Sequence, residues 1–200
     1  ELAKGNKISA LDLCGFHANM PVIMVIGGSS GAANVNKAVR DALPQLLEDF
    51  QVVHICGKDK VDNLLLTTKG YKQFEYVKAE LKDIFAMADI VISRAGANAI
   101  CELLALQKPN ILIPLMAGCR GDQILNAKSF ESQGYSLVIS EDDITTQLLV
   151  DTVHDMYFRR QSFIEAMSRS HQKDSIKTIL GLIEETVAKY AGENVKADNN

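Results

Sequence analysis

The sequence predicts an α/β fold built on a doubly wound parallel sheet. Apolar runs recur at 21–26 (PVIMVI), 51–56 (QVVHIC), 89–93 (DIVIS) and 110–113 (NILI), three of them stopped by Gly27, Gly57 or Pro114, as strands buried on both faces are. Segments between them carry apolar residues at helical spacing, so strand and helix alternate along the chain, the pattern of a parallel sheet covered on both sides.

The first strand, 21–26, ends at Gly27-Gly28, and residues 32–47 place Val35, Ala38, Val39, Ala42, Leu43 and Leu46 along one helical face. The second strand, 51–56, ends at Gly57; a weaker helix at 61–66 and a short strand at 74–77 follow. A helix at 81–87 leads into the strand at 89–93. A helix at 97–106 then leads into the strand at 110–113, closed by Pro114. On the helix at 97–106, Ala97, Ile100, Cys101 and Leu104 share a face and are expected to pack on the sheet. A helix at 123–132 and a strand at 136–139 complete six strands. Residues 143–190 read as helical, and 191–200 as a polar, disordered tail. The expected organisation is one Rossmann-like domain over 1–190 with extra C-terminal helices.

Charge and composition exclude some classes of function. Hydrophobic residues make up 47% and charged residues 23%, as in ordinary globular proteins. A net charge of −4 with dispersed Lys and Arg argues against a nucleic-acid partner. No apolar run approaches the roughly 18–20 residues of a membrane-spanning helix, so the protein is expected to be soluble or to sit on a membrane surface. Cys14, Cys56, Cys101 and Cys119 form no CxxC pair and no metal-like spacing; reduced thiols and a cytosolic location are expected. The chain opens at Glu1 without a signal-peptide pattern, as a shortened or processed chain would. His17, His54, His154 and His171 are scattered and read as structural or surface residues, and Asp-x-Asp is absent. Neither a metal nor a cofactor is expected.

In open α/β sheets ligands bind beyond the carboxyl ends of the strands, so those loops carry the candidate chemistry. The loop after the first strand reads Gly27-Gly28-Ser29-Ser30-Gly31-Ala32. Its glycines permit close backbone approach, and the following helix offers free amides to phosphate. The same residues also suit a serine-capped turn. They match neither GxGxxG nor GxxxxGK[ST], and the second strand ends in Cys56-Gly57 rather than an acid for an adenosine ribose.

The loop and helix Ser93-Arg94-Ala95-Gly96-Ala97-Asn98-Ala99-Ile100-Cys101-Glu102 put Asn98 and Glu102 four apart in a polar stripe. A carboxylate one turn into a helix suits a ribose diol; equally, Glu102 can be a solvated residue paired with Lys108 or Arg94. After Pro114, Asp122, Gln123 and Asn126 gather near a helix start. Uncharged and acidic hydrogen-bonding groups there suit a sugar, or else an N-cap with an exposed amide. Arg120 can meet a phosphate or solvent.

Together these segments resemble the MurG family, the GlcNAc transferases of peptidoglycan synthesis. The loop at 27–32 resembles the family's GGSxGA, and residues 88–103 resemble its signature, as do 109–114 and 122–127. The resemblance covers 16–184. It implies a GT-B fold of two Rossmann-like domains, with the donor held mainly by the C-terminal one. It also implies inverting transfer of GlcNAc from UDP-N-acetylglucosamine to the C4 hydroxyl of the muramoyl sugar of lipid I. Carried over, Ser29 meets the diphosphate, with Gly28 and Ser30 beside it. Val77 and Leu81 lie near the uracil with backbone around Ala97 and the neighbouring Asn98, and Glu102 binds the ribose. Asp122, Gln123 and Asn126 address the sugar; some relatives carry two adjacent glutamines where this chain has Asp122-Gln123. The family's N-terminal acceptor domain, with its general base and membrane-facing patch, is absent from these 200 residues. The chain alone is therefore expected to bind donor without turnover, and the whole protein to work peripherally at the cytoplasmic face of the bacterial membrane. A late helix is expected to cross back to the missing domain, with Phe158 and Phe163 as exposed apolar surface.

Other readings are the donor-binding subunit of a split GlcNAc transferase, a UDP-GlcNAc 2-epimerase-like enzyme, and a non-catalytic dinucleotide-binding module. A native start at the domain boundary, a convincing cleft histidine and a preference for NAD over UDP respectively distinguish them.

Overall fold

A computed structural model describes residues 2–27, 32–115 and 121–170. Contacts divide the chain into a compact unit, Glu1–Ser168, and a second, Arg169–Asn200, almost all of which lies outside the described residues. The expected helical stretch beyond 170 and the tail at 191–200 fall there.

The six strands are β1 (Val22–Ile26), β2 (Gln51–Ile55), β3 (Tyr71–Phe74), β4 (Ile90–Ser93), β5 (Asn110–Leu112) and β6 (Leu137–Val138). All pair in parallel, in the order β3-β2-β1-β4-β5-β6. The centre is dry: Ile23, Met24, Val25, Ile90, Val91, Ile92, Ile111 and Leu112 are fully buried, which is why these strands read as unbroken apolar runs. The helices are α1 (Lys7–Cys14), α2 (Ala33–Asp49), α3 (Leu81–Met87), α4 (Ala97–Ala105), α5 (Asp122–Ser132) and α6 (Thr146–Ser168).

Several expectations are corrected. The helix expected at 61–66 is a single 3-10 turn, Asn63–Leu65. Its Leu64 and Leu66 are exposed, so a segment too short to nucleate a helix has no buried face to hold it. The third strand is Tyr71–Phe74 rather than 74–77, aligning Val52 with Tyr71 and Ile55 with Phe74. It alternates buried Tyr71 and Gln73 with half-buried Lys72 and Phe74, an edge-strand pattern that lacks an apolar run. Helix α1 has no counterpart in the sequence reading; Asn6 caps it by accepting from Ile8 N and Ser9 N.

On α4 the buried residues are Ile100, Leu103 and Leu104, whereas Ala97 and Cys101 are exposed. Leucine at 103 buries more apolar area than cysteine at 101, so the helix is turned toward it. Phe158 is exposed, as expected; Phe163 is buried in the core, under the Arg159 guanidinium.

Beneath α2 lies a polar network. Asn36 Nδ2 donates to Cys56 O at 2.9 Å, so its Oδ1 faces His54 Nε2 at 3.0 Å, while His54 Nδ1 meets the Tyr71 hydroxyl at 2.8 Å. The Nε2 atom therefore carries the ring proton and Nδ1 accepts from Tyr71. Burial, with the Arg40 charge adding to it, lowers the His54 pKa to about 3. This histidine is a neutral structural member, as expected.

Candidate functional site

The strand order reverses between β1 and β4, and a ligand crevice belongs beyond the carboxyl ends of the strands at that point. At this edge α2 after Ala32, α4 after Gly96 and α5 after Gly121 start without a side-chain cap, as α3 does after Glu80 beyond β3. Their first-turn amides have no partner within the helix and lie at the positive end of its dipole. Such an edge favours anionic oxygen. A Cβ on Gly27 would lie 2.8 Å from Ala32 N, so the end of β1 returns close against the start of α2, and only glycine fits. Gly28, Ser29, Ser30, Cys119 and Arg120 lie outside the described residues.

The remaining candidate residues come from the neighbouring loops. Ala97, Asn98 and Glu102 are exposed on α4, and among the described residues Glu102 has neither a hydrogen-bond nor an ion-pair partner. Neither pairing considered from the sequence forms: Lys108 Nζ donates to Ala88 O, and Arg94 pairs with Glu141. Val77 and Leu81 are half-buried against the core beyond the end of β3. Asp122 is exposed in the first turn of α5.

Two amides have their orientation fixed by backbone. Leu115 N donates to Gln123 Oε1 at 3.1 Å, and Asn126 Nδ2 donates to Ala95 O at 3.0 Å. A backbone N–H can only donate and a carbonyl only accept. Gln123 therefore keeps its NH2 for another partner, and Asn126 keeps its Oδ1. The second bond also brings α5 onto the loop that starts α4.

A residue not singled out from the sequence completes the framework. Arg94 Nη1 donates to Ile113 O at 3.0 Å and Nη2 to Glu141 Oε1 at 2.6 Å, with both side chains buried. Glu141 lies in the run Ser140-Glu141-Asp142-Asp143, which reads as solvated charge; only the three-dimensional position reveals it.

A groove between α2 and the β2–β3 connection, of ≈ 700 Å³, is lined by Asn36, Lys37, Arg40, Asp59 and Asp62 among others, and includes none of the candidate residues. A smaller depression lined by Lys4, Lys78 and Lys82 adjoins Val77 and Leu81 in sequence. Among the described residues no group of three or more His, Cys, Asp or Glu side chains is arranged to hold a metal, and no helix is long and apolar enough to cross a membrane.

The family model described as "Glycosyltransferase family 28 C-terminal domain" matches residues 22–180. The chain belongs to the glycosyltransferase family 28 C-terminal domains.

Family 28 relatives are similar over almost the whole chain. A UDP-N-acetylglucosamine--N-acetylmuramyl-(pentapeptide) pyrophosphoryl-undecaprenol N-acetylglucosamine transferase of Lachnoclostridium phytofermentans is 60% identical over 190 residues, covering 94% of this chain and 54% of that protein. The transferase of the same name from Geobacillus thermodenitrificans is 49% identical over 187 residues, covering 93% and 52%. The chain thus spans about half the length of the curated relatives it matches. Among solved structures, Acinetobacter baumannii MurG superposes with a TM-score of 0.69 at 22% identity, covering 92% of this chain and 54% of that one. The calicheamicin glycosyltransferase CalG4 gives 0.65 at 17%, covering 88% and 43%. The family 28 chain therefore has the fold of one half of a GT-B glycosyltransferase.

Proposed function

We propose that this chain binds UDP-N-acetylglucosamine, and that the whole protein transfers the GlcNAc to lipid I at the cytoplasmic face of the bacterial membrane, forming lipid II. The observation that carries the reading is the gathering of the uncapped starts of α2, α4 and α5, Glu102 without a partner among the described residues, and the half-satisfied amides of Gln123 and Asn126 along one edge of the sheet. That set matches the chemistry of a nucleoside diphosphate sugar. Helix starts suit a diphosphate without a metal, a free carboxylate suits a ribose diol, and a donor beside an acceptor suits sugar hydroxyls. The names of the relatives support the sugar and the acceptor.

In this reading Ser29, Ser30 and Gly28 hold the diphosphate, Val77 and Leu81 flank the uracil with the Ala97–Asn98 backbone, and Glu102 accepts from the ribose hydroxyls. Asp122, Gln123 and Asn126 address the GlcNAc. Inverting transfer needs a base to take the proton of the attacking hydroxyl. In this proposal the other half of the protein supplies it, along with the acceptor site and the membrane contact.

Calorimetric titration of the chain with UDP-GlcNAc, UDP-GalNAc and NAD tests the proposal, with Glu102→Ala alongside. UDP-GlcNAc is expected to bind and NAD not to. Losing charge-assisted hydrogen bonds worth about 1.5–3 kcal/mol weakens Glu102→Ala roughly tenfold to hundredfold. Equal binding by the variant would sink the ribose assignment.

A further inference from the structure

We propose that Glu141, which is not among the predicted ligand contacts, is a positioning residue for donor binding, acting through Arg94 to hold the β4–α4 and β5–α5 loops in register. The proposal rests on the donor-binding reading above and adds to it a residue outside the site.

Hydrogen bonds lead outward from the sheet to this pair. The ladder runs to the very ends of the strands: Ile113 N donates to Ser93 O at 2.8 Å and Ile139 N to Leu112 O at 3.0 Å. There it stops, and the Arg94 guanidinium takes over, bonding Ile113 O with one nitrogen and Glu141 with another. One planar fork thus joins the ends of β4 and β5 to the segment after β6. A guanidinium can hold two such partners at fixed angles where an ammonium cannot.

What the fork holds is the backbone that leads into the candidate site. Arg94 is followed directly by Ala95, whose carbonyl accepts from Asn126, and by Gly96, which starts α4. Ile113 stands two residues before Leu115, whose amide donates to Gln123. Asn98, Glu102, Gln123 and Asn126 therefore all hang from backbone that this pair secures. Deep burial leaves the charges little freedom: the side chains are 11% and 7% exposed. Removing the carboxylate strands a buried cation, and Arg94 must swing toward water, taking the β4–α4 loop with it.

The test compares the 200-residue chain with Glu141→Leu, Glu141→Gln, Arg94→Lys and Glu102→Ala. UDP-GlcNAc affinity is read by calorimetry and backbone opening by amide hydrogen exchange without ligand. Weakening one charged contact to the donor changes affinity by roughly 10- to 100-fold, so Glu141→Leu is expected to lose 10- to 100-fold in affinity. Exchange should quicken at 95–99 and 121–126 while the strands β1 and β2 keep their protection. Glu141→Gln, which retains an acceptor, is expected to recover part of the loss; with Arg94→Lys it carries the test should the leucine variant not fold. Wild-type affinity in Glu141→Leu, with Glu102→Ala weakened, overturns the positioning role and leaves the donor site standing. Exchange rising equally in every strand overturns it too, since the pair would then serve stability alone. A wild-type chain that binds no UDP-GlcNAc overturns the donor reading, and this proposal with it.

Discussion

At the scale of single residues, the half-satisfied amides make the sharpest prediction. Gln123→Glu keeps an oxygen for Leu115 N but loses the NH2 that faces away from it. UDP affinity should stay within about twofold of wild type, while the added affinity for UDP-GlcNAc falls by about 1 kcal/mol, the net worth of a neutral hydrogen bond. Titrating both ligands into the variant decides it. His54 predicts a pH dependence. Its folded pKa lies near 3, below the unfolded value of 6.5, so the unfolded chain binds the extra proton between those values and stability falls as pH drops from about 6.5 toward 3. At about 1.4 kcal/mol per pH unit, roughly 2 kcal/mol is gone by pH 5. Urea denaturation across that range, with His54→Gln flattening the slope, measures it. His154, raised by its hydrogen bonds to Val150 and Asp49, acts in the opposite sense: its contribution is present below pH 6.5 and lost as pH rises through its folded value.

At the scale of elements, the short N-terminal pieces contrast with the sheet. A Cβ on Gly5 would lie 1.9 Å from Lys82 O, and Asn6 N donates to Asp83 Oδ1 at 2.7 Å, so α1 is docked on α3 through a contact without room for a side chain. Gly5→Ala should cost about 1–3 kcal/mol, as overpacking does, seen as a lower melting temperature. The four strands nearest the sheet's centre were legible because their runs are apolar on both faces. Helix α1 was not, because its eight residues KISALDLC lack a clean apolar stripe; its start depends on the Asn6 side chain. The strand at Tyr71–Phe74 escaped for a related reason: Gln73 is drawn inside by Arg40 and Asp62, so a polar residue occupies an inward position. The candidate residues on α4 and α5 could be named from spacing, but which half of each amide is free depends on backbone folded back from Leu115 and Ala95. Glu141, 47 residues from Arg94, carries no local signal at all.

At the scale of the whole molecule, the chain covers about half of each relative and one edge of its sheet carries the candidate groups. Under the donor-binding proposal, the 200-residue chain should bind and release UDP-GlcNAc but form no lipid II when mixed with lipid I. Adding the other half of the protein should start turnover, and a radiolabelled-sugar transfer assay distinguishes the two states. The strand order carries a further consequence, for synthesis. Of the strands in this sheet β1 is the first to be made, yet it sits at the middle, with β4 as its neighbour on one flank. About 60 residues separate Ile26 from Ile90, and ribosomes add roughly 5–20 residues each second. For several seconds the nascent chain therefore carries Val22–Ile26 with one row of amides and carbonyls bare, an open invitation to any other extended chain nearby, until its own fourth strand arrives to close it.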